Sequence, residues 1–227
     1  RQDYKNAISW AETRRDLDPK RIGIWGISYS GGHVLVVAAT DPRVQCVVSN
    51  IPVVDGWRTM QSVHGALAFR RLEALILEDR RKRLESGLLG TMPMSTPDPA
   101  HELSTWPFPE VTSAFQQFKN TVAPTHEHWN TIASTELLMS YDVRPFLRRI
   151  LRTPVLMSVA EKDDITLWEE EISVFNSIAT PDKRLFLCRD TSHMTLYSNK
   201  SRLEQLAEQG RAFLVAQLVE RVLPASV

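Results

Sequence analysis

The stretch Arg21 to Gly32, RIGIWGISYSGG, constrains this chain more than any other. Ile22 to Trp25 is a short apolar run that reads as a buried strand, and His33 to Ala39 reads as a buried helix. Between them the chain must turn sharply through a glycine-flanked serine. Strand, tight turn with serine at the tip, then helix is the geometry of a nucleophile elbow. The tip residue of such a turn sits in a strained backbone region, and its neighbours two positions away crowd one another. Gly26 and Ser30 are small enough to flank Ser28 in this way. The turn aims the backbone N–H of Tyr29 and the following helix N-terminus at one point, where a forming oxyanion gains from both. Ser30 also has small residues two positions away and stays a second candidate; Ser28 is preferred because it directly follows the strand end. A phosphate-cradling loop is not indicated, since neither G-x-G-x-x-G nor G-x-x-x-x-G-K-[ST] occurs here.

The rest of the chain can support such a turn. At 227 residues it is long enough for a sizeable core in one or two domains. Lys+Arg and Asp+Glu both total 27, so net charge offers no footing for nucleic acid or an anionic membrane surface. No apolar run is long enough to span a bilayer and no signal peptide opens the chain. Cys46 and Cys188 each fall in an expected strand, so they read as free core thiols in a reducing compartment, with the cytoplasm as the expected location. The chain opens at Arg1 inside a helical pattern and reaches the elbow almost at once, which reads as a fragment or a processed chain, N-terminally incomplete.

Tyr4, Ala7, Ile8 and Ala11 fall at helical spacing, and Asp18-Pro19 marks a break. After the elbow helix, Asp41-Pro42 turns the chain and Val44 to Ser49 reads as a second buried strand. Strand, helix and strand in that order imply a parallel sheet. From Asp55 the character changes. Trp57 to Glu85 is a long helical pattern with a break near Gly65, and its charged stretch Glu78 to Glu85 reads as a solvated face. Met92 to Pro99 is proline-rich and irregular, and Glu110 to Asn120 is helical. Residues 55–135 therefore read as an inserted helical cap on a core formed by 1–54 and 136–227. Trp57, Trp106, Phe108 and Trp129 are candidates to line an apolar substrate pocket or simply to pack the cap. Beyond it come a short helix in Asp142 to Ile150, a strand Pro154 to Ala160, a helix Trp168 to Ile178, a strand Arg184 to Cys188, and a closing helix Ser201 to Val222. The whole is α/β, with helices on both faces of a parallel sheet.

Three polar residues share one address. Ser28, Asp163 and His193 each lie just past the carboxyl end of an expected parallel strand, where open α/β sheets place their sites. Serine is a weak nucleophile until a base takes its proton, histidine can take and return that proton, and a carboxylate orients the imidazole. Asp164 and, more distantly, Glu161 are rival acids. His33 reads as a packed helix residue, and His64 and His101 as ordinary cap residues. His126-Glu127-His128 would converge on a metal only from a strand, and no strand is expected there, so no metal is assigned.

These features resemble the α/β-hydrolase superfamily, in particular the dienelactone-hydrolase-like and X-Pro-dipeptidyl-peptidase-like branch that includes polyketide transferases. The resemblance is carried by Gly26-Ile27-Ser28-Tyr29-Ser30-Gly31-Gly32-His33, Asp41-Pro42-Arg43-Val44, Trp129-Asn130 with Ser134 and Glu136, Thr153 to Met157 leading to Asp163, and Ser192-His193 with Leu196-Tyr197-Ser198. It implies a Ser28, Asp163, His193 triad, one oxyanion donor at Tyr29, a second from an earlier loop that this chain does not contain, and a helical cap. It implies a small-molecule acyl substrate, an acyl-serine intermediate and no cofactor. The expected activity is cleavage of a carboxylic ester or thioester. The alternatives are acyl transfer in a polyketide pathway and a truncated, non-catalytic binding module. Trp57 and Trp129 are the expected substrate contacts. Neither nucleic acid nor membrane is an expected partner, and the sequence leaves room for a homodimer. The family normally places several strands before the elbow, and Ile165 to Trp168 stands where a proline or small residue often follows the acid.

Overall fold

Two mostly apolar runs, Cys46–Asn50 and Val155–Ala160, are buried at every position, as strands covered on both faces must be. They form the centre of the sheet. The computed structural model describes residues 1–220. In chain order the elements are α1 (Gln2–Glu12), β1 (Gly23–Ile27), α2 (Tyr29–Ala38), β2 (Cys46–Asn50), α3 (Gly56–Ser86), β3 (Thr91–Pro93), α4 (Pro109–Thr121), β4 (Trp129–Thr131), α5 (Ile132–Met139), α6 (Arg144–Leu147), β5 (Val155–Ala160), α7 (Trp168–Ser177), β6 (Lys183–Cys188), α8 (Thr195–Ser198) and α9 (Lys200–Val215). Residues 216–220 continue α9 as a π-helix, and positions 221 and 222 of the expected closing helix lie outside the described residues.

The chain divides into two compact units, one made of Arg1–Val54 with Asp142–Val227 and the other of Asp55–Tyr141. The first holds a four-stranded, wholly parallel sheet in the order β1-β2-β5-β6. Cys46 and Val48 of β2 and Leu156 of β5 pack on Phe213 of α9. Ser49, turned the other way by the two-residue period of a strand, donates to the Gly31 carbonyl of α2 at 2.9 Å. Helices thus cover both faces, and the sheet is the parallel α/β sheet read from the sequence. The opening helix stops at Glu12, several residues before Asp18-Pro19, and the chain between them makes turns. Along α9, Leu206 and Phe213 are buried and Leu203 is 41% exposed.

The second unit is built on α3. Asp55 caps it by accepting from the Arg58 N–H at 3.0 Å. Its kink falls at Gly65, whose φ of 65° favours glycine. Helix α5 packs so tightly on its start that a Cβ on Gly56 would sit 1.7 Å from the Leu138 carbonyl oxygen. That packing carries the unit on to Tyr141.

Two expectations fail within it. Met92 and Pro93, read as irregular, belong to β3, which pairs antiparallel with β4. Three-residue strands are too short to declare themselves by alternation. The charged stretch Glu78 to Glu85 is not wholly a solvated face, because Asp79 is 3% exposed. Its carboxylate accepts from the Gly90 N–H at 2.9 Å and lies 2.7 Å from Arg83, which also pairs with Glu136. Removing one partner leaves a buried charge uncompensated. Arg83→Met should therefore lower unfolding stability by ~2–3 kcal/mol, short of the cost for fully buried pairs because Arg83 is partly exposed. Urea unfolding of the two proteins measures it.

Candidate active site

Strand β1 runs into α2 with a single residue between them. That residue, Ser28, has φ 57° and ψ −120°, outside the regions a side chain prefers. The flanking positions explain how the strain is held. A Cβ on Gly26 would lie 2.3 Å from the Ser30 carbonyl oxygen, so position 26 admits only glycine without a backbone shift. Ser30 Oγ donates to the Ile27 carbonyl and accepts from the Ile27 N–H, both at 2.9 Å. These two bonds close the turn and occupy the Ser30 hydroxyl. The Ser28 N–H donates to the Asn50 carbonyl at 2.9 Å and its carbonyl accepts from the Val53 N–H at 3.0 Å, tying the tip to the end of β2. Of the two candidate serines, Ser28 is the one whose hydroxyl leaves the turn.

That hydroxyl meets His193. The loop after β6 places His193 Nε2 2.9 Å from Ser28 Oγ, and Nδ1 2.7 Å from Asp163 Oδ2. The loop after β5 supplies Asp163, whose second oxygen accepts from the Ile165 and Thr166 N–H groups, each at 2.9 Å. Burial opposes the charge on Asp163. The His193 charge and hydrogen bond, with the Thr166 bonds, outweigh it and hold the carboxyl below the usual carboxylate range. Its sequence rivals are elsewhere: Asp164 is exposed, and Glu161 accepts from the Asp190 N–H at 3.1 Å. Tyr29 is the first residue of α2, directly after Ser28. Its ring lies 4.5 Å from that of His33, and burial lowers the His33 pKa to about 4, so this histidine is neutral near pH 7.

The expected substrate contacts belong to the second unit. Trp57 borders a cavity of about 400 Å³ with Ile76, Leu77, Arg80 and Leu137. Trp129, half exposed on β4, does not border it and donates to Glu127 at 3.3 Å. His126 and His128 do converge, outside any strand, with His126 Nε2 3.2 Å from His128 Nδ1; His128 Nε2 also bonds Ser95 Oγ at 2.8 Å. Among the described residues no three His, Cys, Asp or Glu side chains gather as a metal site.

Sequence reasoning missed Tyr197 and Glu171. Tyr197 lies one helical turn past His193, and its ring stacks on the imidazole with centroids 5.7 Å apart. The spacing of four residues was the available signal. Glu171 is completely buried; Thr166 Oγ1 donates to it at 2.6 Å, and its other oxygen has no partner. It shares helical phase with the buried Val174 and Ile178, which marks it as inward-facing.

This parallel sheet, with a strained serine turn and a His–Asp pair from two later strand ends, is an α/β-hydrolase fold. The profile of the X-Pro dipeptidyl-peptidase (S15) family matches residues 1–195, and the chain belongs to that family. It is similar to the acyltransferase drtE of Aspergillus calidoustus, 24% identical over 90% of this chain and 65% of the relative. It is also similar to the thiohydrolase aneE of Aspergillus aculeatus, 26% identical over 85% of this chain and 61% of the relative. The chain thus spans less than two thirds of the length of either. Its fold matches the α/β hydrolase GrgF of Penicillium sp. sh18 with a TM-score of 0.75 at 18% identity, over 95% of this chain and 70% of that one.

Burial and the nearby Asp163 charge raise the Glu171 pKa well above its usual value, which favours the neutral acid in the folded protein. The unfolded chain then binds fewer protons than the folded one above the ordinary glutamate value of 4.5, and stability falls as pH rises through that window. Asp163, shifted the opposite way, loses its stabilisation only at more acidic pH. Glu171→Gln, neutral at every pH, should flatten the fall in Tm as pH rises above the ordinary glutamate value. Equal slopes in thermal melts of parent and variant would count against a neutral Glu171.

Proposed function

We propose that this protein is a serine hydrolase that cleaves a carboxylic ester or thioester through an acyl-serine intermediate. Ser28 is the nucleophile, His193 the general base and acid, and Asp163 the acid that orients and stabilises the imidazolium. The observation that carries this reading is the continuous hydrogen-bonded path from Asp163 Oδ2 through His193 to the hydroxyl of a strained Ser28. As Ser28 Oγ attacks an acyl carbon, its proton passes to His193 Nε2 and then to the leaving group; water repeats the sequence in reverse. The Tyr29 N–H, at the start of α2, donates to the oxyanion. The substrate is a small acyl compound. No cofactor is needed for this chemistry. Two buried thiols outside any disulfide, Cys46 and Cys188, with the Cys188 pKa pushed up to about 11 by burial, favour a reducing, cytoplasmic setting.

A second reading has an observation of its own. The similarity to an acyltransferase over most of this chain favours transfer of the acyl group to an alcohol or thiol in place of water. Both readings use the same acyl-serine, so one test serves them. A fluorophosphonate should label the protein on the Ser28 peptide. Ser28→Ala and His193→Gln should abolish labelling, and Ser30→Ala should leave the label on Ser28. A folded protein that takes up no label, or label that maps to Ser30, would refute the assignment. Competing water, alcohol and thiol acceptors in turnover assays then separate hydrolysis from transfer.

A further inference from the structure

Glu171 is a carboxyl with no exposed surface in the first turn of α7, where an apolar side chain would cost less to bury. One of its oxygens, Oε1, accepts from Thr166 Oγ1 at 2.6 Å, and the other has no partner. Thr166 is buried just as fully and belongs to the loop that carries Asp163. Its backbone N–H and that of Ile165 each donate to Asp163 Oδ1 at 2.9 Å, while Asp163 Oδ2 lies 2.7 Å from His193 Nδ1. We infer that Glu171 is the positioning residue of this loop: by accepting the Thr166 hydroxyl it fixes the peptide groups that hold Asp163 towards His193. This inference rests on the hydrolase reading.

The backbone between the two partners shows why such a tie is needed. Leu167, directly after Thr166, has φ 61° and ψ 78°, a left-handed conformation in a residue other than glycine. It stands at the N-cap of α7 and, being leucine, offers no side-chain cap. A strained residue persists only where its surroundings over-determine it. On the helix side, the Glu170 and Glu171 N–H groups donate to the Leu167 carbonyl at 2.9 and 3.3 Å. On the loop side, Asp163 accepts from the Thr166 N–H. The Thr166–Glu171 bond spans Leu167 and closes these two sides on each other. Without it the turn at Leu167 is free to relax, and the Thr166 N–H that aims the Asp163 carboxylate moves with it.

The carboxyl suits this task in its neutral form. The titratable groups that interact with it are Asp163 in the loop, Glu169 on its own helix and the Cys188 thiol of β6, and none of them is a cation. Burial and the two carboxylates favour the protonated acid. A protonated acid still accepts the Thr166 proton at its carbonyl oxygen, and it adds no second negative charge beside Asp163.

The test is the second-order rate of fluorophosphonate labelling across pH, with thermal melts alongside, for the purified parent, Thr166→Val, Thr166→Ser, Glu171→Met, Glu171→Gln and Ser28→Ala. Valine keeps the shape of threonine and the backbone N–H, and loses only the hydroxyl. Thr166→Val should label roughly fivefold more slowly, the effect of one hydrogen bond of ordinary strength. Its pH midpoint should fall, because an imidazolium less well aligned with Asp163 gives up its proton at lower pH. Glu171→Met, which removes the acceptor from the other side, should behave in the same way. Thr166→Ser keeps the hydroxyl and Glu171→Gln keeps an acceptor oxygen, so both should stay close to the parental rate and midpoint. A merely structural pair would lower the melting temperature of Thr166→Val and Glu171→Met but leave rate and midpoint parental. With label absent from Ser28→Ala, that result overturns this inference and spares the hydrolase reading. A midpoint that falls in Glu171→Gln reveals a negative charge lost from beside Asp163 and overturns the neutral role. A parent that never labels overturns both inference and reading.

Discussion

The backbone of Ser28 is the constraint on which the rest of the site depends. A non-glycine residue at φ 57° and ψ −120° persists only where its surroundings over-determine it. Here the over-determination is specific. Ser30 ties back to Ile27 on both sides of the peptide group, the end of β2 bonds the tip through Asn50 and Val53, and Gly26 leaves room for the Ser30 carbonyl. The bonds to Asn50 and Val53 need β2 beside β1 in its observed register, Gly26 opposite Ser49 and Ile27 opposite Asn50. The sheet is thus the brace that keeps the turn under strain.

Strain recurs at the same edge. Ile51, directly after β2, and Asp190, two residues after β6, also have positive φ, at 38° and 52°. Both serve the site at one remove. Ile51 belongs to the cluster behind Tyr197, and Asp190 turns the chain towards His193. The carboxyl ends of the parallel strands carry the strain, while no residue within β2 or β5 has a positive φ. Asp163 illustrates the same division of labour. Its burial would favour a neutral acid, and the imidazole and the Thr166 bonds outweigh that, whereas Glu171, facing that same charge, has only the Thr166 hydroxyl against its burial, and its pKa is raised.

Much of this was legible in the sequence because it rests on local patterns. The four strands of the parallel sheet, the elbow, and the positions of Ser28, Asp163 and His193 past strand ends follow from apolar runs and the residues that end them. The Asp163 and Asp164 alternatives separated only in three dimensions, since one faces inward and accepts two backbone N–H bonds while the other faces solvent. The β3–β4 pair escaped notice because three-residue strands leave no period to read. Asp79 was misread because a charged residue on a charged helix signals burial only through its partners, and Gly90 and Glu136 are distant in sequence. Tyr197 and Glu171 were hidden for a related reason: their roles depend on what stands across from them.

The wide sequence separation of Ser28 and His193, 165 positions apart, has a consequence for the order in which the protein comes into being. On a ribosome the elbow serine emerges well before the imidazole that stands beside it in the folded protein. Until β6 and the loop after it have been made, Ser28 lacks that neighbour. The hydrogen-bonded path from Asp163 through His193 to Ser28 therefore closes only when β6 docks beside β5, whatever part of the sheet has folded before.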